Sequence, residues 1–146
     1  MKKTILLLVA CSLLLAGCGS SSGGSSSQYD IEIGERYFIE EILSINLNAS
    51  DYIGKTVKFE GIFDYIAWEG GYVYYVYRNG PGCCGDDGQV GFDVVWEGGG
   101  TYPDREEWVE VVGSFERHED YGFPQLRINL TSLNVMSERG LEFVSQ

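Results

Sequence analysis

The sequence predicts an all-β domain, a small five-stranded antiparallel barrel with one N-terminal helix, and three observations carry that prediction. Between Val57 and Thr131 lie five strand-like segments, four of which alternate apolar and polar side chains with the period of two that a half-buried strand requires, the other being an aromatic and β-branched run. Turn-forming residues separate them at regular spacing, as in a small all-β fold. Gly61, Gly91 and Gly113 lie inside three of the segments, where a strand bends or another backbone comes close. A sandwich needs about seven strands, two more than the chain supplies. An OB-fold-like barrel closes with five and accommodates long, coiled, kinked strands.

Ahead of that domain lies a different kind of signal. Lys2 and Lys3 precede an apolar run from Ile5 to Leu15, and Leu15-Ala16-Gly17-Cys18 closes it. The run is too short to span a bilayer comfortably, and its anatomy is that of a secretory signal. The closing tetrapeptide resembles the lipobox of bacterial lipoprotein precursors. The resemblance implies that residues 1–17 are removed as a signal peptide and that Cys18 carries a diacylglycerol thioether with an acylated amino terminus, a palmitate for example. Two or three acyl chains give lasting attachment where one gives marginal binding. The mature protein is then expected in the cell envelope, lipid-anchored and facing the extracytoplasmic side. Residues 18–30 form the lipidated cysteine and linker. Gly19 to Ser27 reads GSSSGGSSS, without one apolar side chain to offset its ordering entropy. Such a coil reaches roughly 15–18 Å.

The remaining residues, 31–146, suffice for one domain. Tyr37, Phe38, Glu40, Glu41, Ile42 and Ile45 give a partial i, i+3, i+4 pattern, predicting a helix over about Glu35 to Leu47. Asn48, Ser50 and Gly54 end it. Strand one follows, with Val57, Phe59, Phe63 and Tyr65 alternating with Lys58, Glu60 and Asp64. Gly70-Gly71 makes a turn, and Tyr72 to Tyr77 is aromatic and β-branched enough for a strand covered on both faces. A glycine-rich loop carrying Cys83-Cys84 leads to Val90, Phe92, Val94 and Trp96. Gly98-Gly99-Gly100 and Pro103 mark the next loop. Val109, Val111 and Phe115 define strand four; Leu126, Ile128 and Leu130 define strand five. After Thr131 the parity slips, since Leu133 and Val135 are the next apolar pair, and one inserted residue is what a β-bulge requires.

The charge limits the partners. The chain has 10 basic and 22 acidic side chains, a net −12, and the signal segment removes two of the bases. Arg36, Lys55, Lys58, Arg78, Arg105, Arg117, Arg127 and Arg139 are scattered singly, so there is no basic stripe for a phosphate backbone and no nucleic acid is expected as partner. Adhesion to anionic headgroups is disfavoured for the same reason, which leaves the lipid at Cys18 as the membrane attachment.

Asp51-Tyr52-Ile53-Gly54-Lys55-Thr56-Val57-Lys58-Phe59-Glu60-Gly61, then Cys83-Cys84 shortly before Val90-Gly91, then Trp108 to Gly113 resemble the carboxy-terminal domain of YcgQ-like proteins, subunits assigned to permease complexes. The likeness runs from about Tyr37 to Val135, and the adjacent cysteines are its most specific element. It implies an extracytoplasmic OB-like module working beside a permease or another envelope protein. Here Gly85-Asp86-Asp87-Gly88-Gln89 follows the cysteines, without the proline of the family pattern, and the lipid anchor stands where the family has a transmembrane part.

Cys83 and Cys84 are the thiols left after lipidation of Cys18, and three readings of them stand side by side. Extracytoplasmic cysteines usually pair, yet adjacent Cα atoms lie about 3.8 Å apart, below the ordinary disulfide range of about 4.4–6.8 Å, so a vicinal bond is strained and reducible. The two thiolates can instead hold a soft or borderline metal such as zinc or copper, with Asp86, Asp87 or His118 as further ligands, although no complete four-ligand spacing occurs. They can also be a redox-reactive pair, while the plain structural reading is a loop holding that vicinal disulfide or two buried thiols. No resident cofactor is otherwise expected. Among the aromatics, Tyr72, Tyr74, Tyr75 and Tyr77 with Trp68 and Trp96 are expected mainly as core and sheet cover; an exposed part of that row would suit a protein, a glycan or a cation. The chain has no G-x-S-x-G, H-E-x-x-H or P-loop pattern. A non-catalytic binding or accessory module is the function expected, with a thiol or metal activity at Cys83 and Cys84 as the alternative.

Overall fold

The computed structural model describes residues 29–83, 85–120 and 123–145. Within them lie strands β1 (Ile31–Ile33), β2 (Thr56–Trp68), β3 (Gly71–Gly82), β4 (Gly85–Val95), β5 (Trp108–Asp120) and β6 (Phe123–Val135), and helix α1 (Phe38–Leu47). Strands β2 to β6 close into a barrel in the order β2-β3-β4-β6-β5, with β5 pairing back onto β2. The all-β five-stranded barrel with one N-terminal helix is therefore the fold. Four of its contacts are antiparallel. The fifth, Asp93–Val95 of β4 against Arg127–Asn129 of β6, is parallel, because the chain crosses to β5 before β6 fills the gap beside β4.

The alternation read from the sequence is the inside and outside of this barrel. Phe59 and Phe63 of β2, Val76 of β3, Phe92 of β4, Val111 and Phe115 of β5 and Ile128 of β6 all point into one buried core. Phe92 is its centre, edge-on to Phe59 at 6.1 Å and to Phe115 at 5.2 Å, a geometry aromatic quadrupoles favour. Two of the strand glycines are required by close approach. A Cβ on Gly91 would overlap the Val76 carbonyl, and one on Gly113 would overlap the Asn129 carbonyl. The parity slip is also real: Val112 pairs with Ser132 but Gly113 with Leu130, which leaves Thr131 as the extra residue of a bulge.

Helix α1 begins at Phe38, not Glu35. Glu35 is drawn elsewhere, accepting the Leu141 N–H at 2.9 Å and facing Arg78 at 3.5 Å. Glu40 and Glu41 in the first turn favour the positive end of the helix. Phe38, Ile42 and Ile45 enter the barrel core, Phe38 lying 6.3 Å from Phe59, so the helix plugs the end where β2 starts.

One seam of the barrel is split. β3 pairs with β2 only as far as Ile62 and Tyr77. Beyond that point β1 runs parallel to Val57–Phe59 of β2, while the C-terminal segment pairs with β3, Asn79 donating to Glu142 and Val144 donating to Asn79, both at 2.8 Å. Arg78 fills the gap between them. Its guanidinium lies 4.7 Å from the Phe38 ring and 4.9 Å from that of Trp108 and donates to the carbonyls of Glu60 and Leu141. It is 2% exposed. Neither β1, three residues long, nor this C-terminal strap is legible in the alternation.

The barrel thus has two distinct ends. Its entry end holds α1 and Tyr29–Asp30, where Asp30 is bonded to Thr56 through both backbone and carboxylate. The far end holds the β2–β3 turn, where Trp68 pairs with Gly71. The 13 residues of β2 connect them.

Candidate functional site

The glycine-rich segment expected to be a loop outside the strands is instead a hairpin. Asn79 pairs with Gln89, Gly80 with Gly88 and Gly82 with Gly85, so Cys83-Cys84 is the two-residue connection between β3 and β4. Glycine's low strand propensity hides this from sequence reading. Cys83 is exposed at the tip, and Asp86 and Asp87 open β4. Cys84, Cys18 and the side chains of Asp86 and Asp87 lie outside the described residues, as do the signal segment and the linker up to residue 28. His118 is on β5 opposite Gln125. Among the described residues no three His, Cys, Asp or Glu side chains converge on a metal position.

The tyrosine row divides between two faces. Tyr74 points inward at the mouth of the far end and stacks on Tyr102 at 3.8 Å, both lying over Phe63. Tyr102 comes from the β4–β5 connection, and its hydroxyl accepts the Trp96 N–H at 2.8 Å. Around this stack the hairpin tip is open: Ile66, Trp68 and Tyr72 are each more than half exposed. Tyr72 packs edge-on against Tyr65 at 5.1 Å.

Tyr75 and Tyr77 point outward. Tyr77 joins Ile62 and Trp108 in a second apolar cluster on the outer face, partly covered by Met136. A groove of about 300 Å³ runs down this face from Ile66, past Val73, Tyr75 and Tyr77 on β3 and Asp93, Gly91 and Gln89 on β4, to Asn46 and Gln125. The absent side chain at Gly91 forms part of its floor. Asp64 stands beside it, almost buried, held by a bidentate Arg105 whose guanidinium also covers the Tyr65 ring at 5.1 Å. The Arg105 hydrogen bond holds the Asp64 carboxyl below the usual carboxylate range. Burial pushes the phenols of Tyr75, Tyr77 and Tyr102 up, with Asp64 adding to the first two. The surface is therefore one of neutral rings, hydroxyls and fixed carboxylates.

Arg105 and Tyr102 were not singled out by the sequence, since both sit in a connection without periodicity. Asp64, an acid in an outward row between Ile62 and Ile66, was the available signal.

Comparison with curated proteins and with solved structures gave no match. A family model described as the DUF1980 C-terminal domain does match, over residues 21–139, a span that takes in α1, the whole barrel and the cysteine hairpin. The chain belongs to the DUF1980 C-terminal domain family.

Proposed function

We propose that this protein is a lipid-anchored extracytoplasmic binding module, non-catalytic, whose OB-like barrel presents its β3–β4 face and the adjoining hairpin tip to an envelope partner such as a permease complex. The observation that carries the reading is the continuity of the tyrosine-floored groove with the exposed Ile66, Trp68 and Tyr72. Aromatic rings bounded by acids suit a neutral or cationic surface, sugar or peptide. The singly placed bases support the absence of nucleic acid, because Lys58, Arg78, Arg105, Arg127 and Arg139 are each matched to an acid. The test is in cells, with a photo-crosslinking side chain at Trp68 of the full chain. A discrete adduct that a probe at Thr131 does not give supports the reading. Identical adducts from both positions, or Cys18→Ala protein that stays membrane-bound after normal processing, overturn it.

A second reading rests on Cys83, exposed in a two-residue turn beside Cys84 with two aspartates following. Such a tip can hold zinc or copper, or cycle between dithiol and disulfide. Stoichiometric metal lost on Cys83→Ser, or an intact mass two hydrogens below the dithiol that returns on mild reduction, is its signature. Two unreactive thiols without metal dispose of it.

A further inference from the structure

Helix α1 is apolar on two opposite faces, and the barrel uses one of them. Phe38, Ile42 and Ile45 fill the core, while Leu43 and Leu47, one turn apart on the other side, are 55% and 84% exposed. Ile53, 45% exposed, follows in the turn that leads into β2. These three side chains sit on the barrel end opposite the aromatic hairpin. They sit also where the chain enters, since Asp30 is bonded to Thr56, three residues from Ile53.

We propose that the outer face of α1, through Leu43, Leu47 and Ile53, rests on the lipid surface to which the chain is tethered. The inference rests on the reading of Cys18 as the anchor. From Cys18 to Tyr29 the chain is short and polar, with a reach of roughly 15–18 Å for its Gly/Ser portion. The entry end is therefore held near the headgroups, and the hairpin tip, at the other end of β2, is the part farther along the chain from the anchor. A few aliphatic side chains bind a bilayer weakly on their own. Tethering makes the contact intramolecular at high effective concentration, so a weak contact is populated. Glu40 lies one turn before Leu43 on the same side of α1, and Lys55, in the turn after Ile53, is engaged with the Tyr52 ring at 4.8 Å. Together with the acidic net charge this makes the contact apolar and favours zwitterionic lipid; added anionic lipid weakens it.

The experiment uses the full lipidated chain in phosphatidylcholine vesicles whose acyl chains carry bromine, a short-range quencher of indole. Leu47→Trp changes a nearly fully exposed position and leaves the core untouched. The added indole should lose about half of its emission in brominated vesicles relative to ordinary ones, while wild-type emission from Trp68, Trp96 and Trp108 is unchanged. Leu43→Ser in the same chain should restore much of the lost emission. Equal emission in both vesicle types with the protein still floating with the lipid overturns the inference and leaves the anchor intact. Failure to float overturns both. A blue shift that depends on protein concentration and not on bromine would place a second copy of the chain on this face, and also overturns it.

Discussion

The two ends of the barrel are both partly apolar on the outside, but their chemistry differs. At the entry end the exposed groups are aliphatic, Leu43, Leu47 and Ile53, set on a helix whose other face plugs the core. At the far end they are Ile66, Trp68 and Tyr72, standing around the Tyr74–Tyr102 stack with hydroxyls and the Asp64–Arg105 pair close by. Aliphatic surface attracts without direction. Rings with polar edges select orientation and partner. One end is suited to a fluid, featureless surface and the other to a shaped ligand, the division that the proposed lipid anchor calls for.

The largest test of that division is Arg78. It lies in the entry half and joins β2, the segment after β1 and the C-terminal strap at the split seam, through Glu60, Glu35 and Leu141. Arg78→Leu removes a buried cation and orphans its carbonyl partners, at a cost of about 3 kcal/mol and roughly 10 °C in Tm for a domain of this size. Hydrogen exchange should show β1 and the strap around Leu141 to Val144 opening first, with the Tyr74–Tyr102 end still protected. Uniform loss of protection would mean that the two ends are one cooperative unit.

Acid distinguishes the ends by sign. Asp64 is depressed in the folded protein, chiefly by the Arg105 hydrogen bond. Its contribution is present above the unfolded carboxyl value near 3.9 and is lost as pH falls through the lower folded value. Because Arg105 is more than half exposed, the effect is about 1 kcal/mol or less. Asp64→Asn should flatten the acid limb of a stability–pH curve below about pH 4; an unchanged limb would remove this pair from the account of the far end.

Glu41, at the entry end, is shifted the other way. Burial raises its pKa against a hydrogen bond from the Gly34 N–H, and its Oε2 is buried without a hydrogen-bond partner. The folded state therefore holds the proton more tightly than the unfolded chain. Stability is highest below the unfolded value and declines as pH rises through the raised folded value. Glu41→Gln keeps an acceptor for Gly34 and removes the charge. It should be slightly more stable than the parent at pH 7, by a fraction of 1 kcal/mol, with that part of the pH dependence gone. Destabilisation at pH 7 by chemical denaturation would show that the carboxylate is compensated after all.

Much of the barrel was legible because its strands obey one local rule. Phe59, Phe63, Phe92, Val111 and Ile128 alternate with polar neighbours, and a period of two maps directly onto inside and outside. The bulge at Thr131 was legible for the same reason. The cysteine hairpin was half legible: the turn residues were recognised, but the pairing of Gly80, Gly82, Gly85 and Gly88 was not, since glycine pairs through backbone alone. The proposed binding surface was least legible. Tyr72 to Tyr77 reads as one sticky row, and only the twist and partners of β3 decide that Tyr74 enters the mouth while Tyr75 and Tyr77 floor a groove.

By itself the sequence determined the five barrel strands, the inner and outer faces of four of them, the helix and the acidic charge, all of which follow from periodicity or composition. The tertiary structure decided what depends on residues far apart in the chain. Arg78 became a buried clasp because β2 and β3 part below Ile62, and Glu35 left the helix because the strap at Leu141 offered it an N–H. Tyr102 met Tyr74 across a closed barrel, and α1 turned its second apolar face outward because the core had room for one. Pairings of this kind depend on three-dimensional closure, and no local pattern encodes them.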